Sequence, residues 1–145
     1  MLDSCPRFTL LDAERIAREH FGATGSATLL TSERDQNFRI EATDGSRFVL
    51  KIANAREERA MLEAQQSALS HIASNIKITP RVLRTVLGAA IATVVAADGT
   101  EHLAWAISWL EGRPLALGAW TSPTLLADFG RKVGELRLAF ADFDT

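Results

Sequence analysis

One lysine, Lys51, stands inside an apolar segment where a positive charge has few ways to be satisfied. It belongs to the run FVLKIA at residues 48–53 and is one of three lysines among 16 basic residues. An ammonium group in such a segment must reach solvent, pair with an acid or bind an anionic ligand. Its position alone favours an ordinary lysine that reaches solvent, and leaves anion binding as the alternative that involves chemistry.

A predicted β-hairpin positions this lysine. Residues 38–43 and 47–53 are predicted strands, and Asp44-Gly45 between them predicts a primed turn, because glycine adopts positive φ without strain. Side chains alternate along a strand, so Val49 and Lys51 share one face of the second strand. The opposite face is entirely apolar and consists of Phe48, Leu50 and Ile52.

Composition limits the class of protein. The chain has 145 residues, enough for one domain with a core, and is 47% hydrophobic and 23% charged. A formal net charge of −2 gives no electrostatic basis for binding nucleic acid or an anionic membrane. The single cysteine, Cys5, cannot form an internal disulfide, so we expect a reducing, cytoplasmic location. The charged N-terminal segment predicts no signal peptide, and the longest apolar run, residues 89–97, is too short to span a bilayer.

The remaining elements predict a mixed fold. In chain order we expect a helix at 10–21, a strand at 27–31, the hairpin, a helix at 55–73, β-rich segments at 81–87 and 90–96, a strand at 101–109, and a last helix at 123–140. This order predicts an α+β fold in which an antiparallel sheet of about five strands is flanked by a helix. Asn54 and Glu57 are expected to cap the second helix, and Gln65 falls beside its apolar face, which begins with Met61 and Leu62.

Three runs of residues in this order carry a resemblance to a known family. They are SERDQNFR at 32–39, FVLKIAN at 48–54 and WLEGRPL at 109–115. The chain from about residue 10 onward resembles the N-terminal lobe of the aminoglycoside phosphotransferase and choline kinase-like family, a branch of the protein-kinase-like fold. The run SERDQNF is most similar to phosphotransferase domains fused to class III aminotransferases and to hydroxylysine kinases.

The resemblance implies that the chain binds ATP. Lys51 matches the strand lysine that contacts the α- and β-phosphates, and the loop 32–37 would lie over the phosphates. That loop has no glycine, so Ser32 and Asn37 would supply polar side chains instead of close backbone approach. Gln65 stands where the family has the glutamate that holds the lysine, and a neutral amide lacks the Coulomb attraction of a carboxylate. Glu58 is the possible substitute for that glutamate.

The resemblance also implies a division of the chain. Residues 1–107 would form the nucleotide-binding lobe, 108–121 the hinge, and 122–145 the first helix of a C-terminal lobe. Adenine would be read at the hinge by the carbonyl group of Ser108 and the N–H group of Leu110, with Ile107 behind the base. A simple exit from the strand is the structural alternative at this segment.

The residues that perform phosphoryl transfer in the family have no counterpart in these 145 residues. The chain has no His-x-Asp motif, so we expect neither catalytic nor metal-binding residues, and Mg²⁺ would be held by residues outside it. Asp128-Phe129-Gly130 spells the metal-binding tripeptide of protein kinases but falls inside the predicted last helix, where we interpret it as chance. Asp142 and Asp144 lack further ligands and are expected to be solvated.

Three functions remain open at this point. The first is the nucleotide-binding lobe of an ATP-dependent phosphotransferase acting on a small hydroxylated or amino-alcohol substrate, with this chain inactive alone. The second is a stand-alone module that binds nucleotide or self-associates through the apolar stripe of helix 123–140. The third is a purely structural α+β domain. The combined spacing of the motifs favours the first.

Overall fold

The computed structural model describes residues 5–115 and 122–144 and contains three helices and six strands within them. The elements are α1 (Leu10–Phe21), β1 (Gly25–Leu30), β2 (Gln36–Ala42), β3 (Arg47–Ile52), α2 (Arg59–Asn75), β4 (Val82–Leu83), β5 (Ala92–Val95), β6 (Glu101–Ser108) and α3 (Pro123–Ala139). All strands pair antiparallel in the order β1-β2-β3-β6-β4, and β5 also pairs with β6. The predicted mixed fold is therefore confirmed, with six strands where about five were expected.

The β2–β3 turn has the expected place but a different geometry. Gly45 has φ 84°, and no described residue other than glycine has positive φ, so Asp44 does not take the conformation that a primed type I′ turn requires. The Gly45 N–H donates to the Ala42 carbonyl at 2.9 Å, and Asp44 Oδ1 accepts from the Ser46 N–H at 2.8 Å. The prediction of a primed turn is wrong: this is a type I turn that ends in a glycine bulge.

The main core lies between the sheet and α1. Helix α1 begins at Thr9, which forms a reciprocal capping box with Asp12, and ends at Gly22 in the left-handed conformation. Its buried residues Ala13, Ile16 and Ala17 pack against one face of the sheet. The face of β3 predicted to be apolar is fully part of this core: Phe48, Leu50 and Ile52 are 4%, 0% and 0% exposed.

Helix α2 covers part of the opposite face. Its Leu62 packs with Trp105 of β6, a residue whose side chain alternates with those facing α1. The helix begins at Arg59 rather than at about residue 55, and the Asn54 Oδ1 instead accepts from the Arg56 N–H at 3.1 Å in the turn that precedes the helix. Met61, expected on the apolar face, is 54% exposed. The buried residues of the helix are instead Leu62, Gln66, Ile72 and Ala73.

Helix α3 is capped by Ser122, whose Oγ accepts from the Leu125 N–H at 3.1 Å, and Pro123 follows in the first turn. Asp128, Phe129 and Gly130 lie inside this helix, as predicted. Beyond the helix, Asp142 is not simply solvated: its Oδ1 lies 2.9 Å from Nε2 of His71 on α2. Of the predicted hinge, residues 116–121 lie outside the described residues.

Candidate functional site

The register of three strands places Lys51 in the middle of a row of side chains on the face opposite α1. Asn37 of β2 stands directly across from Lys51, and Lys51 stands across from Trp105 of β6. The Nζ atom of Lys51 donates to Oδ1 of Asn37 at 3.2 Å and lies 5.5 Å from the centroid of the Trp105 ring. An aromatic face and one amide oxygen thus surround the ammonium group.

The charge of Lys51 is incompletely balanced. Burial lowers the pKa of its ammonium group below the ordinary lysine value, and the negative charge of Asp35 offsets part of that shift. Within the described part of the chain, Lys51 forms no salt bridge. A half-buried cation that is held in place with no direct carboxylate partner is suited to bind an anionic ligand.

The loop before β2 is tied to the lysine by a chain of hydrogen bonds. Asn37 uses its amide oxygen for Lys51 and donates from Nδ2 to Oγ of Ser32 at 3.2 Å. Ser32 itself is exposed at the loop surface. The structure therefore brings together three of the predicted site residues, and Asn37 is the link between the loop and the lysine.

Asp35 fixes the other side of this loop, a role that sequence analysis missed. Its Oδ1 accepts from the backbone N–H of Asn54 at 3.1 Å and from the Asn54 side chain at 3.2 Å. The loop is thereby tied to Asn54, which lies two residues beyond the end of β3 and three beyond Lys51. The available signal was an acid in the loop and an asparagine just beyond the lysine strand, but only the paired hairpin brings them into contact.

The structure does not bring the predicted helix partner to the lysine. Gln65 is exposed on α2 and makes no hydrogen bond with Lys51, and Glu58, at the start of α2, forms no salt bridge with it. The neighbouring Gln66 is the glutamine that faces inward, where its Nε2 donates to the Ala90 carbonyl at 3.3 Å. Among described residues, Asn37 alone hydrogen-bonds the ammonium group.

The segment after β6 presents one backbone N–H group that has no acceptor among the described residues. The Ser108 N–H and Oγ are both used by the backbone of Arg81, at 2.9 Å each, which anchors the end of β6. Leu110 is 47% exposed, and its N–H donates to no acceptor among described residues. Ile107 stands opposite Val49, so its side chain lies on the Lys51 face.

Two further hydrogen-bond donors on this face lack partners. Within residues 5–115 and 122–144, the buried Nε of Arg39 and Nε1 of Trp105 have no hydrogen-bond acceptor. Orphaned buried donors cost free energy, and native structures contain few of them. Trp105 is 3% exposed and lies within the packing against α2, whereas the partly exposed Arg39 adds hydrogen-bond donors beside Lys51, which suits a ligand rich in acceptors such as phosphate, ribose and base.

A separate cleft lies away from this face. It encloses about 440 Å³ and is lined in part by Cys5, Asp98 and His102. His102 points toward α1, stacks edge-on against Phe8, and its Nδ1 donates to the Ala53 carbonyl at 2.9 Å. The imidazole therefore has a structural role. His102 lies on the opposite face of the sheet from Lys51, so the cleft does not belong to the Lys51 site.

The chain is similar in sequence and in structure to known phosphotransferases. The sequence model of the phosphotransferase enzyme family matches residues 26–145. The amicoumacin kinase hAmiN, in complex with AMP-PNP, Ca²⁺ and Ami, superposes with a TM-score of 0.78 at 13% identity, over 95% of this chain and 42% of its own. A microcompartment-associated aminopropanol kinase gives 0.67 at 18% identity, over 90% and 40%. A search of curated proteins gave no match.

These likenesses show the fold and its extent. The sheet and helices are those of a kinase-like N-terminal lobe, as the resemblance implied. The chain spans about two-fifths of the length of the two solved kinases. No group of three or more His, Cys, Asp or Glu side chains in the described ranges is placed to hold a metal ion. None of the three described helices is both long and apolar enough to cross a membrane.

Proposed function

This chain belongs to the phosphotransferase enzyme family, and we propose that it is the nucleotide-binding lobe of an ATP-dependent kinase for small molecules. The observation that carries the proposal is the environment of Lys51. Its ammonium group is half-buried, has a lowered pKa and is held by Asn37, with no carboxylate partner among the residues that the structure describes. The α- and β-phosphates of ATP would supply the missing negative charge at this point.

In this proposal the loop 32–37 contacts the phosphates, and the segment after β6 contacts the adenine base. Ser32 and Asn37 would lie beside the phosphates and orient Lys51, while Asp35 holds the loop against Asn54. Adenine would enter beneath Val49 and Ile107, where its edge would meet the N–H of Leu110, which has no acceptor in the described ranges, and the carbonyl of Ser108. Backbone reading of this kind leaves the linker side chains nearly free to vary.

We propose that the chemical step uses groups outside these 145 residues. Phosphoryl transfer needs Mg²⁺ and a residue that orients the acceptor hydroxyl, and we place both in a C-terminal lobe outside these 145 residues. The described residues offer no acidic cluster for the metal. We propose a small hydroxylated or amino-alcohol acceptor, by analogy with the aminopropanol kinase of similar fold. The single Cys5 favours action in the reducing cytoplasm.

A stand-alone interaction module is the second candidate function, and the surface of α3 favours it. Several apolar side chains of this helix are between 39% and 75% exposed: Leu125, Leu126, Phe129, Val133 and Leu138. A surface of this kind is covered either by a second copy of the chain or by the rest of a longer kinase. Sedimentation of the wild type and of Phe129→Glu separates the two, since only self-association makes the wild type dimeric and the variant monomeric.

Calorimetric titration with MgATP tests the proposed function. The wild-type chain should bind, and Lys51→Ala should weaken binding about tenfold or more, because a charge-assisted contact to phosphate contributes roughly 1.5–3 kcal/mol. Lys77→Ala is the matched control, since it removes an exposed lysine just beyond α2 and should leave the affinity unchanged. Equal affinity of the wild type and Lys51→Ala, or no binding by either, would contradict the proposal.

A further inference from the structure

Arg39 lies on the same face of the sheet as Lys51, two residues beyond Asn37 on β2. In the strand register it stands opposite Val49, and Val49 stands opposite Ile107. Residues directly opposite one another in antiparallel strands point to the same face. The Arg39 side chain therefore begins at the level of the proposed base site, one step from the row that contains Lys51.

Two contacts direct its guanidinium group toward the linker. The Cζ atom lies 5.5 Å from the centroid of the Trp109 ring, and Nη2 lies 3.1 Å from Oε2 of Glu41. Trp109 is the residue between Ser108 and Leu110, the two proposed adenine contacts. Arg39 thus connects β2 to the linker across the proposed base site, and its side chain is still 32% exposed.

The contacts of Arg39 leave part of its hydrogen-bonding capacity unused. Its Nε is buried and has no acceptor among the described residues. A guanidinium group carries five N–H donors, and Glu41 is its one salt-bridge partner in the described ranges. A ligand that brings ring-nitrogen or hydroxyl acceptors to this face would let the side chain turn and satisfy donors that are now orphaned.

We propose that Arg39 is a nucleotide-contacting residue, which lays its planar guanidinium group against the purine ring and donates to acceptors of the nucleoside. This inference rests on the proposed function and adds to it a residue for the base. Guanidinium groups stack on aromatic rings, and a purine offers a broad π face. The contact is to the nucleoside, so it is separable from the attraction of Lys51 for the phosphates.

Intermolecular NOEs in the wild-type chain test the contact without any substitution. With ADP bound, the Arg39 side-chain protons should show NOEs to purine H8 or ribose H1′. The methyl groups of Val49, opposite Arg39 in the register, provide the internal reference. NOEs from the purine to Val49 without any to Arg39 would overturn the inference while leaving the proposed function intact.

Affinity for adenosine provides the second test, because adenosine is neutral and gains nothing from distant positive charge. Arg39→Met should weaken adenosine binding about tenfold, since it removes the charge, the plane and the donors. Compared with Arg39→Met, Arg39→Lys should recover part of the affinity for ADP, because lysine keeps the positive charge. It should recover less of the affinity for adenosine, because lysine lacks the planar guanidinium group. Arg18→Ala removes an exposed arginine from α1, on the opposite face, and should change neither.

The outcomes separate the two proposals. Unchanged adenosine affinity in Arg39→Met overturns the contact, as does an Arg39→Lys variant that binds adenosine like the wild type. A wild-type chain that binds neither ADP nor adenosine overturns the proposed function and this inference together. If Arg39→Met does not fold, the NOEs in the wild type decide the question.

Discussion

The Nζ atom of Lys51 lies 3.2 Å from Oδ1 of Asn37, its direct cross-strand neighbour on β2. The same asparagine donates to Ser32, so one amide joins the loop to the lysine. The neutral amide orients the ammonium group without neutralising it. The cation therefore has no directly bonded carboxylate among the described residues and can attract an anionic ligand, which distinguishes this arrangement from an ordinary structural ion pair.

Replacing that amide by a carboxylate should neutralise the site. In Asn37→Asp the new negative charge would raise the pKa of Lys51 and repel phosphates, so we expect ADP affinity to fall about tenfold or more. Titration with ADP measures the effect. An Asn37→Asp variant that binds ADP as tightly as the wild type would show that Lys51 does not meet the phosphates.

The same charge change on α2 provides a contrast. Gln65 is exposed and does not contact Lys51, so Gln65→Glu should leave ADP affinity within about twofold, as expected for an exposed charge. Parallel ADP titrations of both variants make the comparison direct. A clear gain in affinity would show instead that Gln65 turns toward Lys51 when nucleotide binds, as the family resemblance predicted.

The half-buried charge of Lys51 should also affect how the free energy of unfolding depends on pH. Because burial lowers its pKa in the folded state, the folded chain binds fewer protons than the unfolded chain between that lowered value and the ordinary lysine value of 10.5. The contribution of Lys51 to stability must therefore rise with pH in this window. Below it both states are charged and the full desolvation cost is present.

Lys51→Met removes this cost at all pH values. Its stability relative to the wild type should be highest near neutral pH and should decline as the pH approaches 10.5. Urea denaturation of both proteins at several pH values measures the difference, in which the titration of all other groups cancels. A difference that stays constant or grows with pH would contradict the lowered pKa.

The pairing of β1 with β2 depends on Gly25. A Cβ atom built there would lie 2.0 Å from the Glu41 carbonyl oxygen, so Gly25→Ala must push the two strands apart. We expect a loss of roughly 1–3 kcal/mol or more in the free energy of unfolding, typical of overpacking. Weaker ADP binding should accompany it, because these strands support the loop at 32–37. Urea denaturation and titration measure both effects.

Gly130 is the matched control for that substitution. It lies within α3, and a Cβ atom there would meet nothing within 4 Å. Gly130→Ala should therefore stabilise the chain by about 0.5–1 kcal/mol through helix propensity. Destabilisation by this substitution would indicate that Asp128-Phe129-Gly130 is not helical in solution.

The sequence predicted those features that depend only on neighbouring residues. Alternation along β3 placed Lys51 on the face opposite Phe48, Leu50 and Ile52, and the last helix was predicted close to its observed bounds, Pro123–Ala139. Such features depend on neighbours within a few residues. The row of Asn37 and Lys51 then followed once the hairpin was paired.

Contacts between distant residues were not predictable in this way. Asn54 was expected to cap α2, but its Oδ1 accepts from Arg56 in the preceding turn, its Nδ2 donates to Asp35, 19 residues away, and α2 begins at Arg59. Gln65 was predicted beside the apolar face of α2, but the buried glutamine is Gln66. Consecutive side chains on a helix differ in direction by about 100°, so an error of one residue changes which side chain faces inward. The contact of Arg39 with Trp109 joins β2 to the segment after β6, so it could not be predicted without knowing how β2, β3 and β6 pair.

Nucleotide binding at the Lys51 face is tested most directly by an amide NMR titration of the 145-residue chain with MgADP. We expect saturable shifts at residues 32–37, at Lys51 and at 108–110, including the Leu110 N–H, which lacks an acceptor in the described part of the chain, and much smaller shifts in Lys51→Met. The absence of saturable shifts would contradict it. So would shifts confined to the cleft beside His102, since that cleft lies apart from the Lys51 face.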